Sequence, residues 1–303
     1  MPEPLRHAIL GVGGVGGLIG ASLARCGFPV TLVVRPEVIN QYPRHVHLES
    51  PFGSYEADFP VLAEVPSVDV LWLTVKATQL DAALASITHP ESVKAIVPLL
   101  NGIDHVALLR SKYGNDRVIP ATFAGETERV APGHIIHRSP FARLNVSSAG
   151  HTLLEGALGK LQQLGFQCQF IDHEPTLMWS KLAFLAPFAL TSTAADKPTD
   201  EFLADPHWRE MGLSCIRETC SVAAAEGAKL NPDTVVAGAL QMGKVRMRSS
   251  MQKDVEQGKP PELDAIAGPI LRGARRHGIP VPATEKLVEA VEQRAGLSPS
   301  AVR

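Results

Sequence analysis

A glycine pattern near the start does most to limit what this chain can fold into. Gly11-Val12-Gly13-Gly14-Val15-Gly16 fits G-x-G-x-x-G and follows a short apolar run at 8–10. Residues 14–24 read as a helix rich in small side chains, and 30–34 as a β-branched strand buried on both faces. In a strand–helix–strand unit with short connections the strands run parallel. Gly11 permits the tight turn out of the first strand. Gly13 lets a pyrophosphate approach the helix N-terminus, where unpaired N–H groups and the macrodipole favour anions. Gly16 lets helix and sheet pack closely. The pattern alone is weak, and a ligand-free glycine turn is the alternative. Its place inside a βαβ unit points to a dinucleotide.

The alternation continues. Strands are predicted at 69–75, 95–100 and 118–122, with polar helices at 79–86 and 104–112. An open parallel sheet covered on both faces follows, an α/β fold of the Rossmann type. Segments 135–137 and 143–146 flank a Ser-Pro turn and predict a hairpin. An amphipathic helix at 153–164 and a strand at 167–171 come next. Beyond Asp172 the strand signals stop, and 177–195, 208–226, 233–239, 261–277 and 284–294 read as helices. At roughly 150 residues per domain, the 303 residues suit two domains. Their expected bounds are 1–172 for a dinucleotide-binding domain and 173–303 for an all-α domain.

Several function classes drop out. Lys plus Arg is 29 against 31 Asp plus Glu, so no basic footprint for nucleic acid exists. Cys26, Cys168, Cys215 and Cys220 form no C-x-x-C pair and read as free thiols of a cytoplasmic protein. The N-terminus leads straight into a strand pattern, which leaves no room for a signal peptide. The longest apolar run, 182–190, is about half the length needed to span a bilayer and contains Pro187. His45-x-His47 and His134-x-x-His137 lack helical spacing or acidic company, so no metal is expected.

Other residues carry the chemistry. The second strand ends in Val34-Arg35-Pro36, with no acid before Glu37. A guanidinium there suits the 2′-phosphate of NADP rather than the free ribose of NAD; a solvated loop arginine is the alternative. Lys76, trailed by Gln79, and Asn101-Gly102 both follow strands, where ligands of parallel sheets bind. An exposed lysine and a turn dipeptide are the competing readings. Lys181 sits among apolar neighbours on a predicted helix, so its cation either snorkels to the surface or is kept for chemistry.

Gly11 to Gly16, Lys76-Ala77-Thr78-Gln79, Leu100-Asn101-Gly102, Trp179-Ser180-Lys181-Leu182, Arg248-Ser249-Ser250-Met251 and Glu262 resemble, in order and spacing, the ketopantoate reductase (2-dehydropantoate 2-reductase) family. The resemblance covers essentially the whole chain. It implies a Rossmann domain followed by a helical domain like that of 6-phosphogluconate dehydrogenase. It implies NADPH-dependent reduction of a 2-oxo acid to a 2-hydroxy acid, ketopantoate to pantoate in pantothenate biosynthesis, with a homodimer through the helical domain. Carried over by position, Lys181 resembles the proton donor and Asn101 a contact shared by nicotinamide ribose and substrate. Lys76, Gly125 and Glu262 resemble cofactor contacts. Ser250, with Arg248 and Ser249, resembles the substrate carboxylate site.

The chain departs from the family where asparagines usually follow the lysine by four and eight residues. Leu185 and Ala189 stand there instead, on the face of Lys181 by helical spacing. As pocket residues they predict a modest preference for 2-oxo acids with apolar side chains over ketopantoate. The alternatives are a reductase of another carbonyl or imine, and a non-catalytic NADPH-binding sensor.

Overall fold

The computed structural model describes residues 3–298 and 302. Met1 and Pro2, where the segment read as leading into a strand begins, lie outside the described residues. The chain forms two compact units. The first runs to Leu100 and resumes over His105–Asp172; the second comprises Asn101–Asp104 and the residues from His173 on. A single cut near 172 does not capture those four residues, which follow a strand of one unit yet belong to the other.

In the first unit a parallel five-stranded sheet takes the order β5 (Val61–Leu62), β2 (Val30–Val33), β1 (His7–Leu10), β6 (Val68–Leu73), β7 (Val93–Pro98). Its residues alternate between two cores. Ile9, Val70 and Trp72 face one cluster, which also holds Leu18 of α1 (Gly14–Arg25). Ala8, Leu10, Leu71 and Leu73 face the other, with Leu84 of α2 (Leu80–Leu84) and Leu109 of α3 (His105–Tyr113). Burial of both faces is what the continuous apolar strands called for.

A second sheet was not legible in the sequence. It runs β4 (Tyr55–Asp58), β3 (His45–Glu49), β10 (His134–His137), β9 (Thr127–Ala131). It packs on α1, where a Cβ at Gly17 would strike the side chain of Ile135. A third sheet runs β12 (Gln167–Ile171), β11 (Arg143–Ser147), β8 (Ala121–Ala124), with α4 (His151–Gln163) packed on β12. The predicted hairpin is therefore wrong. Its two arms pair in different sheets, β10 with β3 and β9, β11 with β8 and β12. The predicted strand at 118–122 also shifts. Val118 makes an isolated parallel bridge to Ile96, and β8 begins at Ala121 and pairs antiparallel with β11.

Pairing of β3 with β10 overturns one further expectation. It brings His47, Glu49 and His134 together, so these histidines do have acidic company.

The second unit contains helices and loops and no strand among its described residues. α5 (Glu174–Ala195) starts at His173, whose ring accepts from Thr176 N–H, and ends where Asp196 turns left-handed (φ 53°). Pro187 lies inside it without ending it. α6 (Thr199–Ala204) precedes α7 (Pro206–Ala225), α8 (Pro232–Met242), α9 (Ser250–Glu256), α10 (Leu263–His277) and α11 (Pro282–Ala295). Asp205-Pro206 and Asn231-Pro232 start α7 and α8 with a side-chain cap followed by proline, the sequence signature of a helix start. Trp179, Leu182 and Leu190 of α5 share one core with Ile266 and Ile270 of α10 and Leu287 of α11. No helix of the described residues is long and apolar enough to cross a membrane.

Candidate functional site

In the first unit the glycine loop joins β1 to α1. Gly11 has φ +100°, and a Cβ there would meet Val75 Cγ1 at 2.6 Å and Val75 N at 2.7 Å. Thr74 Oγ1 donates to the Gly11 carbonyl at 2.7 Å and holds the turn against the end of β6. A Cβ on Gly13 would meet nothing within 4 Å, so that flank of the loop is open. No side chain caps α1, and its first turn holds no acid. The N–H groups there remain free for an anion, with the macrodipole behind them. A Cβ on Gly16 would overlap the Gly11 carbonyl and Thr74 Oγ1. Gly11 to Gly16, Val12 and Val15 included, therefore fit a pyrophosphate.

Two features of this loop escaped the sequence. A Cβ on Gly14 would fall 2.7 Å from the Thr127 carbonyl of β9, and Arg129 of the same strand donates to the Val12 carbonyl at 3.2 Å. The sequence offered no signal for either, because β9 itself was missed. Thr74 had a signal, its place at the end of a predicted strand.

Arg35 follows β2, is exposed, and its guanidinium pairs with none of the described residues. Lys76 is half-buried just past β6, and Gln79 is exposed at the start of α2. Gly125 follows β8, where a Cβ would lie 3.0 Å from the Phe123 ring.

In the second unit three predicted residues come together. Lys181 Nζ of α5 donates to Asn101 Oδ1 at 3.1 Å, and Asn101 Nδ2 donates to Glu262 Oε2 at 3.0 Å. Glu262 is buried at the N-cap position of α10. Asn101 thus offers its oxygen to the cation and its amide hydrogens to the carboxylate. Burial pushes the Lys181 ammonium down to about 8, against the pull of Glu262, which raises it. The segment Asn101–Asp104 is pinned at two points. Gly102 has φ +82°, and a Cβ there would overlap the Ala265 carbonyl. Arg272 bonds both Asp104 and, at 2.7 Å, Asp264.

Two of the other expected substrate contacts, Ala189 and Ser249, are buried. Ala189 is 1% exposed within the core of the helical unit, so no surface is left for a ligand. Leu185, one turn after Lys181, keeps part of its surface. Ser249 is 2% exposed and caps α9, its Oγ accepting from Gln252 N–H at 3.1 Å and from Ser192 Oγ at 2.8 Å. That hydroxyl is already spent on the fold. Arg248 is exposed and ion-paired with Glu256, and Ser250 is exposed at the start of α9.

The chain is similar to known proteins over most of its length. Residues 7–150 match the family model described as ketopantoate reductase PanE/ApbA, and 176–295 match its C-terminal counterpart. The 2-dehydropantoate 2-reductase of Caulobacter vibrioides is 31% identical over 302 residues, which cover 95% of this chain and 98% of that one. The chain belongs to the ketopantoate reductase family. A PanE/ApbA family ketopantoate reductase from Ralstonia eutropha superimposes with a TM-score of 0.84 at 25% identity, covering 96% of this chain and 99% of the other. A D-mandelate dehydrogenase solved with NADH and anilino(oxo)acetate gives 0.85 at 21% identity, with the same coverage, which shows a shared fold. Family membership accounts for the two-part architecture, a parallel α/β unit followed by a helical one.

Proposed function

We propose that this chain is an NADPH-dependent reductase of a 2-oxo acid, with ketopantoate the substrate to which the relatives' names point. The observation that carries the reading is the Lys181–Asn101–Glu262 chain of hydrogen bonds. NADPH would supply hydride to the ketone carbon, held through Gly11 to Gly16 with Arg35 on its 2′-phosphate and Lys76 and Gln79 as further contacts. Negative charge then builds on the ketone oxygen. The Lys181 ammonium stabilises that charge and donates a proton from Nζ, a general-acid contribution of roughly 10²–10⁴-fold. Its lowered pKa keeps the proton available near neutral pH and easy to give up. Asn101 fixes the lysine, and Glu262 fixes Asn101. Arg248 and Ser250 are the remaining candidates for the substrate carboxylate.

Leu185 favours a second reading of the substrate. An apolar wall one turn from Lys181 leaves a substrate hydroxyl without its partner, at a cost of about 1–3 kcal/mol. Steady NADPH oxidation with ketopantoate and with its deoxy analogue, 3,3-dimethyl-2-oxobutanoate, decides both points. Turnover of either establishes the reductase, and turnover of neither removes it. A kcat/KM ratio that favours the deoxy analogue and moves toward ketopantoate in Leu185→Asn identifies the apolar preference. A wild type that prefers ketopantoate by about a hundredfold removes that preference.

A further inference from the structure

The outer face of the four-stranded sheet carries a group of side chains that the proposed reaction does not use. His47 and Glu49 are two residues apart on β3 and share a face. The parallel register places His134 of β10 directly beside His47, and the antiparallel register places Glu56 of β4 on its other side. Glu49 Oε1 lies 2.6 Å from His134 Nε2 and 3.5 Å from His47 Nε2. Glu56 Oε1 lies 2.6 Å from His47 Nδ1. The rest of the strand alternates inward, with Val46, Leu48 and Ile135 in the core.

We propose that His47 Nε2, His134 Nε2 and the Glu49 carboxylate form a binding site for a late first-row divalent metal ion such as Zn²⁺. Donor chemistry selects the ion. Two imidazoles and one carboxylate suit Zn²⁺ and its neighbours, whereas Mg²⁺ and Ca²⁺ take oxygen ligands. The three donor atoms lie within 4.8 Å of one another. A tetrahedral ion with bonds of about 2.0–2.1 Å spaces its ligands about 3.4 Å apart, so side-chain rotation alone completes the set. Glu56 supplies the outer support such sites use. It accepts from Nδ1–H of His47 and thereby leaves the lone pair on Nε2, the atom that faces Glu49. His134 reaches Glu49 through Nε2; when the metal takes that position, His134 binds as neutral imidazole with its proton on Nδ1. Their side chains are 33%, 37% and 47% exposed for His47, His134 and Glu49, which gives an ion access and leaves a coordination position to water. Bound there, the ion would clip β3 to β10.

The test is calorimetric titration of ZnCl2 into the chelator-treated full-length protein, with CoCl2 as a spectroscopic probe. One Zn²⁺ per chain, a rise in Tm on binding and a Co²⁺ visible spectrum of low coordination number are expected. His47→Ala and His134→Ala should each weaken binding at least about tenfold and abolish the Tm rise, while His89→Ala, which removes an exposed ring paired with Glu91, should change neither. Circular dichroism without metal checks that each variant folds; Glu49→Gln, milder in shape, carries the test if either histidine variant does not. No binding, or binding equally tight in all the variants, overturns the assignment, the second result placing the metal at some other surface histidine.

Discussion

At the scale of single residues, the half-buried lysine on α5 separates a chemical role from a structural one. Two effects act on it in opposite senses, burial lowering its pKa and Glu262 raising it, and burial wins. A proton donor with a pKa of about 8 is protonated below that pH and empty above it. The rate of reduction should therefore fall as pH rises through about 8. Glu262→Gln removes the opposing pull and should move that fall to lower pH. Lys181→Ala should lower kcat by two or more orders of magnitude and erase the fall, with NADPH affinity little changed. Near-wild-type kcat in this variant would remove Lys181 from the reaction. Arg35 is tested through the cofactor. Its guanidinium has no described partner to lose, so Arg35→Ala should act on the 2′-phosphate alone. KM should rise far more for NADPH than for NADH; equal changes would leave Arg35 a solvated loop residue.

Among the elements, α9 shows how a residue of a candidate binding motif can serve the fold instead. Arg248-Ser249-Ser250 looks like a carboxylate grip, yet Ser249 Oγ accepts from its own helix and from Ser192 of α5. Removal of an N-cap hydroxyl costs about 0.5–2 kcal/mol. Ser249→Ala should therefore lower the Tm by several degrees and leave the KM for the 2-oxo acid nearly unchanged. A large rise in KM at unchanged Tm would restore Ser249 to the substrate. The segment Asn101–Asp104 makes the complementary point. Asn101 is useful because Gly102 takes a left-handed turn hard against α10 and Arg272 anchors Asp104 and Asp264 together.

For the whole molecule, acid stability should hinge on a group outside the proposed chemistry. His7 of β1 is 1% exposed and accepts from Trp72 Nε1 at 3.1 Å. Burial pushes its pKa down to about 4, with a smaller upward pull from Asp69. Between the unfolded value near 6.5 and about 4, the unfolded chain binds a proton that the folded chain refuses. Stability from this group is complete above pH 6.5 and is lost as pH falls, by about 3 kcal/mol in all. Urea unfolding at pH 7 and pH 4 should show a smaller difference in His7→Phe than in the wild type. Equal differences would shift the acid sensitivity to carboxylates such as Asp69 and Glu226, whose pKa values are lowered in the fold. By itself the sequence determined what depends on neighbours along the chain. The glycine turn, the doubly buried strands, the helix starts at Asp205 and Asn231, and a lysine out of place among apolar residues are all local signals. Tertiary structure decided which residues meet across long separations. It placed Ala189 in the core beside a partly exposed Leu185, made Ser249 a cap, and put β10 in one sheet and β11 in another. It also brought His134 to Glu49 across 85 positions. Sheet partners are chosen by the burial of surfaces remote in the chain, and a one-residue change of register turns every side chain to the other face. No local pattern in β3 or β10 carries that information.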